Sequence, residues 1–394
     1  MLEGLDLLRA IAIVIVVFYH AALFGFELPG RVDRFGWVGV DLFFALSGYL
    51  IGGQLCAQLA SQGTIRLRRF LWRRALRIMP AYLTVLAVYL LVPSWREYPS
   101  ISPTWKFLVS VQNIELRGGT AFSHAWSLAV EDQFYLTLPA VLLLAWRWPR
   151  AGRALPAAVV CLGLAVRALL AATHLDGGAM SGSDWMRYIY YPTWSRLDPL
   201  VLGVTLAAVQ RFRPRWWALL TEQGHRLLVP GLLAVAAAVA LGEGRPHTVA
   251  ICIWQFPLLA IGVASLLLAF LSPGLPLSRR PIRGADFIAS IAYSVYLSHK
   301  LVIHAVLAQL PTLGVVADSW RGHVLVQVTI YLSGTALFLA VERPFLRWRE
   351  RLSANPQQLD SRVTGTNSKP FQLSKLKPTL VSRVYGCTTN MEAD

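Results

Sequence analysis

Residues 5–24 read LDLLRAIAIVIVVFYHAALF. Apart from Asp6, Arg9, Tyr19 and His20 the stretch is apolar, and its length suits a helix crossing a bilayer core of about 30 Å. Similar apolar runs recur as far as Val341. With this one they predict ten spans, roughly 5–24, 35–55, 76–93, 125–146, 154–174, 193–210, 227–242, 249–271, 288–310 and 323–341. The wider composition agrees. Of 394 residues, 55% are hydrophobic and only 15% charged, against about a quarter charged in soluble domains. The first run lacks a basic start, carries charges inside it and is followed by further spans, so it reads as a membrane helix and not a cleaved leader. The fold class is an all-α integral membrane protein of about ten transmembrane helices.

The net charge of +16 invites a nucleic-acid partner, but its placement assigns it to topology. One alternating set of connections holds 20 Arg and Lys residues, among them Arg66, Arg68, Arg69, Arg73, Arg74 and Arg77, then Arg147–Arg153, Arg211–Arg226, Arg279, Arg280 and Arg283, and Arg343–Arg351. The opposite set holds 8, namely Arg31, Arg34, Arg96, Lys106, Arg117, Arg187, Arg245 and Arg321. Basic residues accumulate on the cytoplasmic side, so the first set is inner and both termini are cytoplasmic. Four scattered cysteines, Cys56, Cys161, Cys252 and Cys387, show no disulfide or metal spacing, and no metal is expected.

The chain divides into a membrane domain, 1–350, and a polar tail, 351–394, whose Ser, Thr, Lys, Asn and Gln cannot bury enough apolar surface to order it. No second folded domain is expected after the last span. In the long outer loop, Trp105-Lys106-Phe107-Leu108-Val109 reads as a short helix at the membrane interface.

Charges inside spans are costly, so each one marks a candidate site. Arg9 and His20 lie three turns apart on one face of the first span, roughly 16 Å along the axis. Asp41 enters the second span from its outer end, and Ala45, Gly48 and Gly52 follow on its face as a small-residue strip for a close helix contact. Glu131 enters the fourth span from outside, with Ser127 and Tyr135 one turn away. Arg196 and Asp198 open the sixth. Depth estimates put His20, Asp41, Glu131, Arg196 and Asp198 in one outer layer, where a carboxylate such as Asp41 or Glu131 would orient His20. On the inner side, Arg69, Arg73, Arg74 and Arg77 gather in the loop where the third span begins, and guanidinium forks suit phosphate or pyrophosphate. A cationic entrance inside and a histidine–carboxylate layer outside suit a donor with a phosphorylated handle and an extended arm, and a base that deprotonates a hydroxyl at the far end.

These residues resemble the membrane-bound acyltransferase 3 family, the multi-span O-acyltransferases of bacterial surface glycans, antibiotics and related molecules. The elements that carry the resemblance run nearly the length of 1–350. They are Leu8-Arg9-Ala10 with His20, Gly39-Val40-Asp41 through Leu46-Ser47-Gly48-Tyr49, and Arg73-Arg74-Ala75-Leu76-Arg77, then Trp126-Ser127-Leu128 through Glu131-Asp132-Gln133-Phe134-Tyr135, Arg196-Leu197-Asp198, Tyr293-Ser294-Val295-Tyr296-Leu297-Ser298-His299 and Val341-Glu342-Arg343-Pro344. The resemblance implies an acyl-coenzyme A donor, commonly acetyl-coenzyme A, and function on the Arg9/His20 pair and on Arg74 and Arg77. It maps the family's aspartate after Gly-Val to Asp41 and its Ser-Leu-x-x-Glu glutamate to Glu131. The late aromatic–His pair of the family stands here as Ser298-His299.

The expectation is an O-acyltransferase of the bacterial inner (plasma) membrane. His20, Glu131 and Asp41 would be catalytic and Arg9, Arg73, Arg74 and Arg77 would bind the donor. Arg196, Asp198, Tyr135 and His299 would bind the acceptor, a cell-surface glycan or related glycoside such as lipopolysaccharide, exopolysaccharide or peptidoglycan. Membrane lipid is a further partner and nucleic acid is not. Direct transfer and an acyl-histidine both fit. The alternative is a multi-span transporter of a glycan precursor or small solute, against which stand the missing inverted repeat and the lack of broken spans in matched pairs.

Overall fold

A computed structural model describes residues 2–28, 34–278 and 282–351. Arg31, Arg279, Arg280, Cys387 and the expected tail from residue 352 onward lie outside the described residues. The described chain is helical: α1 (Leu2–Ala22), α2 (Val38–Gln62), α3 (Leu67–Leu91), α4 (Thr104–Leu108), α5 (Trp126–Arg147) and α6 (Pro149–His174), followed by α7 (Asp198–Phe212), α8 (Pro214–Glu222), α9 (Leu228–Gly242), α10 (Val249–Leu271), α11 (Ala285–Gln309), α12 (Trp320–Leu337) and α13 (Arg343–Arg351).

Among the described residues, nine helices are long and apolar enough to cross a membrane. They coincide with nine of the ten expected spans, and α7 fills the place of the tenth. At 15 residues α7 rises only about 22 Å, short of the bilayer core. Its contacts with α2, α6 and α10 surround it with protein, so it needs no lipid-matching length. Its polar start at Asp198 and its basic end at Arg211 and Arg213 carry the chain from the outer to the inner set of connections. The protein is a multi-pass membrane protein.

The pairing of α2 with α7 is the most extensive in the molecule, and the small-residue strip explains it. A Cβ on Gly48 would lie 2.1 Å from the Leu200 carbonyl oxygen, and one on Gly203 would lie 2.2 Å from that of Ala45. Only glycine lets the two backbones meet at this distance, the arrangement by which membrane helices gain dispersion contacts that lipid cannot outbid. α1 packs against α2 on one side and α11 on the other, and α11 pairs with α12. The helices that carry His20, Asp41 and His299 are therefore neighbours. By contrast α6 and α9 turn large apolar side chains outward, Leu162, Leu169 and Leu233 each being more than half exposed, as a lipid-facing surface requires.

Two boundaries differ from expectation. α3 starts at Leu67, about nine residues before the predicted span, so Arg68, Arg69, Arg73, Arg74 and Arg77 ride on the first three turns of a helix and not in a loop. Arginine has good helix propensity and a long stem that reaches the headgroups, so nothing forces the helix to begin at its first apolar residue. The short interfacial helix is present as Thr104–Leu108, with Trp105 and Leu108 both exposed. After α12 the chain makes a π turn over Phe338–Glu342, which points Glu342 inward to accept from Ser294 at 2.7 Å.

Candidate functional site

The five residues expected in one layer separate into three clusters. The first surrounds His20. Its ring centroid lies 4.8 Å from that of His299 and 6.3 Å from that of His124, and the latter two are 4.8 Å apart. The three imidazoles come from α1, from α11 and from the 3-10 turn Ser123–Ala125 that leads into α5. Each has one nitrogen on a backbone carbonyl: His20 Nδ1 on Val16 O at 3.0 Å, His124 Nε2 on Leu297 O at 3.1 Å and His299 Nδ1 on Tyr296 O at 2.7 Å. A carbonyl only accepts, so those nitrogens carry the protons and fix the tautomers. The opposite nitrogen of each ring, His20 Nε2 included, is left with a free lone pair. The expected carboxylate partner for His20 is replaced by Val16, because an i−4 carbonyl on the same helix is nearer than any acid.

Behind this cluster Lys300 Nζ is buried and meets Glu97 Oε1 at 3.1 Å and Ser123 Oγ at 3.0 Å. The same Glu97 oxygen accepts from the Phe122 N–H. This pair ties the outer loop and the His124 turn to α11. Tyr296 adds a second tie, donating to the His124 carbonyl at 2.8 Å and sharing a hydrogen bond of 2.7 Å with Ser127.

The second cluster holds two crossed ion pairs. Asp41 receives Arg196 Nη2 on both oxygens, at 3.0 and 2.9 Å, and both residues are buried. The Arg196 guanidinium also lies 3.7 Å from the Phe256 ring centroid, 4.9 Å from Tyr190 and 5.4 Å from Trp126, a cage that stabilises a desolvated cation. Burial pushes the Tyr190 phenol well above its usual range, which keeps it a neutral wall of that cage. Asp198 does not join Arg196. It takes the forked Arg167 guanidinium, at 2.7 and 3.2 Å, while Arg167 also donates to the Ser195 carbonyl at 2.8 Å. Arg196 precedes α7 and reaches α2, whereas Asp198 opens α7 and faces α6.

Glu131 belongs to a third, deeper cluster. Its oxygens accept from Ser47 Oγ at 2.7 Å and Tyr135 OH at 3.1 Å, and the Arg74 guanidinium sits 4.0 Å above the Tyr135 ring. Ser47 lies six residues after Asp41, about 9 Å further along α2, so Glu131 is level with the arginine helix and not with Asp41. Arg73 and Arg77 remain exposed on α3. Alongside them, Arg66, Arg68 and Arg69 line an open depression with Leu71, Trp72 and Ala75. Arg9 pairs with Asp6 on its own helix at 2.9 Å, both about a third exposed.

The family profile described as "Acyltransferase domain" matches residues 2–342. The chain belongs to the acyltransferase 3 family. Among its relatives, peptidoglycan O-acetyltransferase OatA of Listeria monocytogenes is 32% identical over 225 residues, 53% of this chain and 34% of that protein. O-acetyltransferase OatA of Staphylococcus aureus is 31% identical over 223 residues, again 53% and 34%. The match thus spans about a third of the length of these relatives. No solved structure matches the chain.

The sequence reading missed His124, Arg167, Glu97 and Lys300. Arg167 and Lys300 carried the signal of a charge deep inside an apolar span. His124 and Glu97 sit in the outer loop, where polar residues are ordinary, and only the fold shows them buried.

Proposed function

We propose that this protein is an O-acyltransferase of the bacterial inner membrane that moves an acyl group, acetyl in the first instance, from cytoplasmic acyl-coenzyme A to a hydroxyl of a cell-surface glycan or related glycoside. The observation that carries the reading is the tautomer of His20. With Nδ1 held by Val16 O, the basic lone pair is on Nε2 of a half-buried residue, and it stands at the end of α1 opposite to Arg9. Family membership supports acyl transfer, and the relatives support O-acetyl chemistry, with the peptidoglycan O-acetyltransferase among them pointing to a glycan as the class of acceptor.

In this reading Arg9, Arg73, Arg74 and Arg77 hold the phosphates of the coenzyme at the inner side, Arg9 exchanging Asp6 for the ligand. His20 Nε2 takes the proton of the acceptor hydroxyl as its oxygen attacks the acyl carbonyl. The C–S bond breaks, the electron pair leaves on sulfur, and the proton returns to the thiolate. Asp41 acts through Arg196, which it anchors, and Glu131 acts through Tyr135 and Ser47. Both are positioning residues for the two halves of the path. Arg196 and Asp198, held in their buried pairs, shape the wall on the acceptor side, while Tyr135 stands with Arg74 on the donor side and His299 lies behind His20.

The test is purified protein with radiolabelled acetyl-coenzyme A and an extract of envelope glycan. Wild type labels the extract and His20→Ala does not. Full labelling by His20→Ala defeats the reading, as does donor-independent solute uptake into vesicles with no acyl transfer, the behaviour of a transporter.

A further inference from the structure

His299 and His124 are left with work to do. Both are buried, at 0% and 2% exposure, and each keeps one ring nitrogen with no hydrogen-bond donor, Nε2 of His299 and Nδ1 of His124. Since their other nitrogens donate to carbonyls, these two carry lone pairs. A buried acceptor left unmet costs about 1–3 kcal/mol, and two of them lie in rings 4.8 Å apart, with His299 also 4.8 Å from His20. Three neutral imidazoles cannot satisfy one another, because every free nitrogen is an acceptor. One added proton changes that. A protonated ring is a donor on both nitrogens and can give to a neighbouring lone pair.

We propose that His299 and His124 form a proton-holding pair behind His20. The inference rests on the reading of His20 as the base. When the acceptor hydroxyl loses its proton to His20, a bond forms between that oxygen and the acyl carbon. The positive charge created on His20 is then shared with the lone pair of His299, and His124 backs His299 in turn. When the C–S bond breaks the same proton goes to the thiolate, and all three rings are neutral again. The charged groups that face the cluster bear on this task, since an unpaired Lys300 would oppose a proton on the rings. Lys300 follows His299 on α11, and its charge is met by Glu97 from the outer loop and by Ser123 next to His124. Tyr19 flanks His20 on α1, with ring centroids 5.1 Å apart, and Tyr296 flanks both of the other rings. The cluster therefore rests with no net charge of its own beside a neutralised lysine, and it has room for one proton.

The experiment separates this role from simple support. His124→Gln keeps an N–H near the Leu297 carbonyl, and His299→Asn keeps one near the Tyr296 carbonyl, but an amide takes no proton. Acetyl transfer to envelope glycan is followed against pH, and the titration of the histidine side chains is read by 15N NMR of histidine-labelled protein without substrate. The expected result is a 10- to 100-fold loss of kcat in each variant, with KM for acetyl-coenzyme A unchanged and the acid limb of the rate profile moved to lower pH. The 15N titration of His20 changes as well. Both variants should purify with wild-type yield and thermal midpoint. If either fails to fold, the other and the NMR titration of the wild type carry the test, since coupled titration of the three rings is expected there. Wild-type kcat and pH profile in both variants, or three rings that titrate independently, would overturn the proposal. An active His20→Ala protein would remove the base itself, while leaving coupled titration between His299 and His124 measurable.

Discussion

Asp41→Ala removes one partner of an ion pair that water does not reach. Arg196 Nη2 bridges both carboxylate oxygens at 2.9–3.0 Å, and the side chains are 0% and 1% exposed. Two unit charges about 4 Å apart attract by about 4 kcal/mol at an effective dielectric near 20, and breaking a buried pair by deleting one member costs about 3–5 kcal/mol. Asp41→Ala should fall toward the lower end, because the cage of Phe256, Tyr190 and Trp126 still stabilises the stranded cation. Arg196→Ala should fall toward the upper end, since it strands a carboxylate and empties the cage. The double variant Asp41→Ala/Arg196→Ala leaves no charge behind and should cost about 0–2 kcal/mol beyond the cavity it opens. The assay is reversible unfolding in mixed micelles with increasing SDS, followed by tryptophan fluorescence. The cycle should give a coupling energy of about 3 kcal/mol or more. Single variants within about 1 kcal/mol of wild type, or singles that simply add, would refute the claim that this pair is desolvated and interdependent.

Gly48→Val should abolish a monodisperse, folded preparation, because its Cβ would overlap the Leu200 carbonyl oxygen. Normal size-exclusion behaviour of that variant would contradict the close α2–α7 contact. Glu97→Gln leaves Lys300 buried without a counter-charge and should lower the thermal midpoint by several degrees, and adding Lys300→Met should recover most of the loss; a silent Glu97→Gln would argue against the pair. Tyr135→Phe removes one of the two donors to Glu131 while keeping the ring under Arg74. It should cost about 1 kcal/mol in stability and reduce acetyl transfer several-fold, and unchanged transfer would detach Glu131 from the reaction. Arg167→Ala should destabilise as strongly as Asp198→Ala, and the two effects should not add.

The long apolar runs were enough to find the nine membrane-length helices among the described residues and the shorter α7, because bilayer thickness acts on the chain residue by residue. The same is true of the Gly48–Gly52 strip, whose periodicity marks a close helix partner even though it cannot say which helix that is. Pairings across the bundle were less legible. Depth counted along separate spans put Glu131 beside Asp41, yet α2 and α5 pass with Ser47 opposite Glu131. Arg196 and Asp198, two residues apart, were read as one unit and serve two different partners. His124 could not be singled out, since a loop histidine before a span is unremarkable until the loop folds under α11. Local physics is written in the sequence; the choice of partner belongs to the packing of helices far apart in the chain.

The central claim is that a donor held on the arginine side serves a base near the opposite end of α1. It is tested by sidedness in sealed membrane vesicles of known orientation, with labelled acetyl-coenzyme A supplied on one side only and acceptor glycan on the other. Label should reach the glycan only when the donor faces Arg9 and the α3 arginines, and His20→Ala should stop it. Equal labelling with the donor on the His20 side, or transfer that survives His20→Ala, would contradict the account.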